Sequence, residues 1–130
     1  MARVTSQPKD PEVAKIRRGD IYLVSFDPTV GHEIKKTRPA LVIQNDIGNQ
    51  FSPLTIVAAI TSSLSAVPYP VAVQIAPSKT NGLDVRSSIR LDQIRTVDRQ
   101  RLVRRLGVAD PATLARVDEA IKISLGLVQL

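Results

Sequence analysis

Between Ile21 and Val97 the chain breaks into six short runs that are apolar or alternating, with turn residues between them. Ile21–Phe26 alternates, placing Tyr22, Val24 and Phe26 on one face and Ile21 and Leu23 on the other. That period of two is the mark of a strand. Asp27-Pro28 ends it. Ala40–Gln44 begins as a continuous apolar stretch, as expected of a central strand, and Asn45–Asn49 reads as a turn. Leu54–Ile60 is rich in β-branched residues, and Tyr69–Ile75 is entered through two prolines. Ser87–Leu91 and Arg95–Val97 complete the series. Strands this short and this close predict a small all-β barrel.

The C-terminus follows a different period. Asp110-Pro111 supplies an N-cap and a proline for the first helical position. Leu114, Val117, Ile121, Leu125 and Val128 then recur at three- and four-residue steps, one apolar stripe of a helix. Ile123 and Leu127 lie off that stripe, so a second subunit is expected to cover them, giving a homodimer. The fold class is therefore mainly β with a C-terminal helix. Residues 1–16 are polar and aperiodic and read as a flexible extension, with a single domain over 17–130.

Charge narrows the function. The net charge is +6 and the pI near 10.2, so an acidic partner is expected, nucleic acid first, with an acidic protein or a membrane surface behind it. Seven arginines and only two acids, Asp92 and Asp98, fall between Arg86 and Arg105. The guanidinium fork matches phosphate oxygens. The absence of cysteine excludes disulfides, zinc fingers and thiol nucleophiles and fits a reducing compartment. No apolar run is long enough to span a membrane, and a cytoplasmic protein is expected. One histidine and scattered carboxylates leave no metal centre, and no phosphate-binding glycine motif calls for a nucleotide cofactor. Base stacking is weakly supported, because only Tyr22, Phe26, Phe51 and Tyr69 are aromatic and the first two share a strand face that belongs to a core.

Two clusters can carry chemistry. Gly31-His-Glu-Ile-Lys-Lys-Thr-Arg38-Pro39 places His32, Glu33, Lys35, Lys36 and Arg38 just ahead of an apolar strand, a surface suited to gripping an anion. In Ile89-Arg90-Leu91-Asp92-Gln93, alternation sets Arg90 and Asp92 on one face with Ile89 and Leu91 inward. Such a pair is either a surface ion pair worth under about 1 kcal/mol or a phosphate grip beside a proton acceptor. Thr61, closing the run Val57–Ile60, is equally a turn residue or a hydroxyl donor.

The segment from Arg18 to Leu127 resembles the MazF/PemK family of bacterial toxins, including its Kid-like members. The likeness is carried by Arg18-Gly-Asp-Ile-Tyr-Leu-Val, Gly31-His-Glu, Thr37 through Asn49, Ala58-Ala-Ile-Thr61, Asp92-Gln-Ile-Arg-Thr96 and Ile123-Ser-Leu-Gly-Leu127, in order and at family-like spacing. The resemblance implies a homodimeric SH3-like β-barrel of the CcdB/PemK type that cleaves single-stranded RNA, mRNA included, in a sequence-dependent way. It implies inhibition by an acidic antitoxin, with DNA reached only through that antitoxin. Arg38 and Thr61 fall on the pair used at the scissile phosphate by MazF-type members. His32, Arg90 and Asp92 fall on the catalytic residues proposed for Kid-like members. Gln93 falls where the family contacts RNA, and Glu33, Lys35, Lys36 and Arg86 are the other RNA-binding candidates. Many members carry glycine just before the Arg-Pro pair, whereas this chain has Lys35-Lys36-Thr37, so a stiffer and more basic loop is expected.

RNA brings its own nucleophile, the 2′-hydroxyl. Cleavage then needs a base for that proton, a cation for the phosphoryl oxygens and an acid for the leaving 5′ oxygen. Asp92 is the expected base, provided burial raises its pKa from about 3.9. Arg38 is the expected clamp, assisted by Thr61, with His32 or Arg90 at the leaving group. Two other classes stand beside this one: a non-enzymatic DNA gyrase poison of CcdB type, which has no need of Arg38 with Thr61, and a plain RNA-binding module.

Overall fold

The computed structural model describes residues 15–33, 36–62 and 70–129. Strands β1 (Asp20–Ser25), β2 (Thr37–Val42), β3 (Leu54–Thr61), β4 (Ala72–Ile75), β5 (Ser87–Asp98) and β6 (Leu102–Val108) form one antiparallel sheet in the order β4-β5-β3-β2-β1-β6. Helix α1 (Asp46–Phe51) joins β2 to β3, and helix α2 (Pro111–Ser124) follows β6. Both expectations of fold class hold: the chain is mainly β, and its long helix is C-terminal.

Alternation sorts the strand residues onto two faces. Ile21, Leu41, Ala58, Ile60, Ile89 and Leu91 share one buried cluster with Val117 and Ala120 of α2. Tyr22, Val24, Phe26, Ala40, Val42, Val57 and Ala59 share the other, so the strand-face reading of Tyr22 and Phe26 as core is correct. Ile16 packs into this second cluster, while residues 1–14 of the expected extension lie outside the described residues.

The sheet curls until its edges nearly meet. The loop between β4 and β5 reaches β6, where the Val108 amide donates to Thr80 O at 2.9 Å. Contact there is backbone on backbone. A Cβ on Gly107 would lie 2.2 Å from Thr80 O, and one on Gly82 (φ +71) would lie 2.1 Å from Leu106 O. Only glycine fits such a seam, and at Gly82 the left-handed backbone asks for it as well.

Five readings from the sequence need correction. The expected turn over Asn45–Asn49 is helix α1, whose N-cap Asn45 accepts from the Gly48 amide at 2.8 Å. The two short strands Ser87–Leu91 and Arg95–Val97 are one strand, β5, interrupted by a bulge. Strand β6 has no counterpart among the expected strands, because its arginines hide its alternation. The stripe of α2 holds for Leu114, Val117 and Ile121, which pack against the first cluster, but it stops with the helix at Ser124. Thr113, Val117 and Ala120 are its buried residues, while Leu125 and Val128 are exposed. Asp110 does cap that helix, accepting from the Thr113 amide at 2.7 Å. The expected strand over Tyr69–Ile75 starts at Ala72, and Tyr69 lies outside the described residues.

Candidate active site

Register brings the candidate residues together. Ala40 pairs with Ala59, and Ala59 pairs with Arg90 on the far side, so these three side chains share a face. Two residues along the same ladder, Arg38 and Thr61 fall on that face from β2 and β3. Neighbouring strands are about 4.8 Å apart, which sets Arg38 and Arg90 roughly 10–12 Å apart at their Cα atoms, with β3 between them. Two long cationic side chains thus flank Thr61 over a floor of alanine methyls. Both alanines are buried in the second cluster, so the cations stand at the edge of packed core.

The bulge explains Asp92 and Gln93. Ala58 pairs with Ile94 but its neighbour Ala59 pairs with Arg90, so Leu91, Asp92 and Gln93 have no counterparts on β3. Leu91 drops into the core, and its amide is taken by Val71 O at 2.8 Å. Asp92 turns back to Arg90 in a two-pronged pair, Nε to Oδ1 at 2.8 Å and Nη2 to Oδ2 at 2.6 Å. The hydrogen bonds from Arg90 hold the Asp92 carboxyl below its ordinary pKa and outweigh the opposing effect of burial. This corrects the expectation that burial raises the Asp92 pKa. In the resting site it is a weak base that fixes the direction of the Arg90 fork. Gln93 turns into a small open cleft with Phe26, Glu33, Ala59, Ile94 and Arg95.

The loop between β1 and β2 carries the remaining candidates. Glu33 Oε1 accepts from the Val30 amide at 2.6 Å, closing a turn beside the cleft. His32 is exposed, and among the described residues no hydrogen bond joins it to Arg90 or Asp92. Lys36 adopts φ 68, a left-handed conformation that costs a non-glycine residue roughly 1–2 kcal/mol. The departure from glycine ahead of Arg38 thus has a structural expression. Lys35 lies outside the described residues. Arg86 stands at the entrance to β5, exposed, with Nη2 donating to Gln74 Oε1 at 3.4 Å. Among the described residues no three His, Asp or Glu side chains gather as metal ligands.

The arginine-rich run is not one phosphate-binding surface. Arg99 donates to Asn49 O at 2.6 Å at the end of α1. Arg105 pairs with Asp20 at 3.3 Å, and Asp20 keeps a raised pKa because burial outweighs the bonds from the Arg17 amide and Arg105. Arg95 and Arg101 donate to backbone carbonyls near Phe26. Sequence reasoning counted these charges without seeing their acceptors, since a carbonyl partner has no sequence signature. It also missed Ser88, fully buried directly across from Thr61, whose Oγ has no hydrogen-bond partner among the described residues.

Comparison with known proteins shows the family. Residues 17–125 match the PemK-like, MazF-like toxins of type II toxin–antitoxin systems. The chain belongs to that family. Endoribonuclease EndoA of Bacillus subtilis (strain 168) is 47% identical over 113 residues, covering 87% of this chain and 97% of the relative. The crystal structure of MazF (Form-I) from Deinococcus radiodurans superposes with a TM-score of 0.72 at 29% identity, covering 85% and 96% of the two chains. A MazE–MazF structure (Form-II) from the same organism gives 0.68 at 28% identity, covering 88% and 98%.

Proposed function

We propose that this MazF-type endoribonuclease toxin cleaves single-stranded RNA, mRNA included, in a sequence-dependent way through the RNA's own 2′-hydroxyl. The observation that carries the reading is the placement of Arg38, Thr61 and Arg90 on one face of three adjacent strands, above Ala40 and Ala59. A phosphodiester seated there meets a cation on each side and a hydroxyl between them. The 2′ oxygen attacks phosphorus, the bond to the 5′ oxygen breaks, and charge on the phosphoryl oxygens is met by Arg38 and Thr61. Asp92 engages only Nε and Nη2 of Arg90, so N–H donors remain for the phosphate. The Asp92 carboxylate likewise keeps lone pairs beyond those two bonds, and one of them takes the 2′ proton. His32, carried on the loop, protonates the leaving 5′ oxygen. Glu33, Lys35, Lys36, Gln93 and Arg86 are the proposed RNA contacts, with Glu33 and Gln93 meeting in the cleft.

No step in this scheme needs a metal ion or a cofactor. Incubation with a long RNA in excess EDTA should give fragments ending in 2′,3′-cyclic phosphate and 5′-hydroxyl. Intact RNA whose cleavage returns on adding magnesium overturns the metal-free scheme, and RNA bound but uncut in both conditions overturns the nuclease reading. The protein acts in the cytoplasm, where its substrate is; among the described residues no helix is long and apolar enough to cross a membrane. Its antitoxin is an acidic segment that competes with RNA for this basic face, and DNA is reached only through that partner. A homodimer is supported by the apolar Leu125 and Leu127, 60% and 70% exposed, and by the cleft that Val73, Ala120 and Ile123 line between β4 and α2. Sedimentation showing only a 14.2 kDa species at micromolar concentration would exclude it.

A further inference from the structure

The chain leaves the sheet in an unusual way at the end of β1. The last β1–β6 pair is Val24 with Leu102, and the last β1–β2 pair is Ser25 with Thr37. Beyond these the carbonyls of residues 25–28 have no strand to bond to. Two arginines take them in alternation. Arg101 Nη1 donates to Ser25 O at 3.1 Å and also to Asp27 O. Arg95 donates to Phe26 O at 2.6 Å and to Pro28 O at 3.3 Å, and its Cζ lies 5.9 Å from the Phe26 ring centroid. From Ser25 to Asp27 successive carbonyls face opposite sides, as in a strand, so Arg101 serves one side and Arg95 the other.

Among the described residues the loop that begins there has few other ties. Its described ties are the Phe26 amide to Lys36 O at 3.0 Å, the Lys36 amide to Asp27 Oδ1 at 3.1 Å and the Val30–Glu33 turn. Val30 is 79% exposed and anchors nothing. Yet this loop brings Glu33 to the cleft opposite Gln93. From this arrangement we infer that Arg95 and Arg101 are positioning residues: their paired grip on the carbonyls of residues 25–28 sets where the loop stands over the cleft, and so how RNA is held. The inference rests on the proposed reading that loop residues contact RNA. Arg95 spreads its bonds over Nη1 and Nη2, which a single ammonium cannot match, and Arg101 gives both of its bonds from Nη1, at a reach that the shorter lysine does not reproduce, so exchange for lysine keeps the charge and breaks the grip.

The test uses the full chain. Arg101→Lys, Arg95→Lys and, as a charge control, Arg104→Lys are compared by amide hydrogen exchange and by steady-state cleavage of a single-stranded RNA oligonucleotide. Arg104 is exposed on β6, outside this grip. Arg101→Lys should speed exchange about tenfold in residues 26–36, leave β3 and α2 as protected as in wild type, and raise KM about tenfold with little change in kcat. Arg104→Lys should change none of these. Wild-type exchange of the loop in Arg101→Lys, or protection lost across the whole sheet, overturns the inference. So does faster loop exchange with KM unchanged. Should Arg101→Lys fail to fold, Arg95→Lys decides, and there the exchange is the criterion because Arg95 also lines the cleft: weaker cleavage with a wild-type loop assigns Arg95 to direct RNA contact. If the wild-type protein cleaves no RNA, the functional reading has failed, and the exchange arm still decides whether the grip exists.

Discussion

On the face of the sheet beneath α2, the strands present Leu41, Ala58, Ile60, Ile89 and Leu91, all at or near zero exposure. On the opposite face the same three strands, β2, β3 and β5, alternate Ala40 and Ala59 with Arg38, Thr61 and Arg90. Neighbours along one strand therefore meet different demands. The first face is filled and has a helix over it. The second is also packed, with Ala40 and Ala59 buried beside Tyr22, Val24 and Phe26, but its margin carries cations, and on the proposed reading that margin is where a polyanion binds. Stability and chemistry are separated by a single step in the alternation, which makes them separable by mutation.

The largest expected effect tests that separation directly. Arg38→Ala should lower cleavage by about 10²–10³ with little change in the thermal midpoint. Leu91→Ala, 0% exposed under the helix, should cost about 2–5 kcal/mol of stability and leave the rate per folded molecule close to wild type. Thermal melts and initial rates on both variants measure it; a large loss of stability in Arg38→Ala would erase the distinction between the faces. A smaller effect is expected at Thr61, which is 6% exposed at the margin between packing and chemistry. Thr61→Val keeps the volume and removes the hydroxyl, so cleavage should fall about tenfold to a hundredfold. Undiminished cleavage would return Thr61 to the packed side of the comparison.

The smallest effect concerns pH and Asp92. Arg90 depresses the folded-state pKa of Asp92 below its unfolded value near 3.9. The stabilisation from the pair is thus fully present above the unfolded pKa and is lost as pH falls through the folded one. Its size is under about 1 kcal/mol, since the side chains are 15% and 28% exposed and solvent screens them. Asp92→Asn should be less stable than wild type at neutral pH by that amount, with the difference closing in acid. Denaturant melts from neutral pH down to about pH 2 would show it. Asp20, whose pKa burial raises, favours the fold as pH falls through the same region and cancels in the difference. A gap that stays constant with pH would mean that the pair contributes through packing alone.

Much of this was legible in the sequence where the signal is periodic. Ile21–Phe26, Leu54–Ile60 and the Asp110-Pro111 start of α2 declare themselves because burial on one side imposes a period on the side chains. Strand β6 did not, since Arg104 and Arg105 stand where apolar residues mark a strand. The α2 stripe was right for Leu114, Val117 and Ile121 but was carried too far, because the helix ends at Ser124 and leaves Leu125 and Val128 exposed beyond it. At the site, the resemblance marked Arg38, Thr61, Arg90 and Asp92, but their shared face depends on ladder register, and that is a long-range property. The depressed Asp92 pKa follows from two bonds to one neighbour, which the spacing allowed without requiring. The arginines that hold carbonyls were indistinguishable by residue type from those that edge the cleft.

The seam at Gly107 and Gly82 has a consequence for the gene. At both codons the backbone of one strand lies so near another chain segment that even a single methyl group would meet a carbonyl at about half the normal separation. Every missense change there adds atoms where none fit, so each disables the product by preventing the barrel from closing, whatever the incoming amino acid. For a gene whose product is harmful to its host, these two codons offer inactivating changes that never touch the chemistry. On the proposed reading, codons 38 and 61 offer the other kind, in which a folded protein persists without its activity.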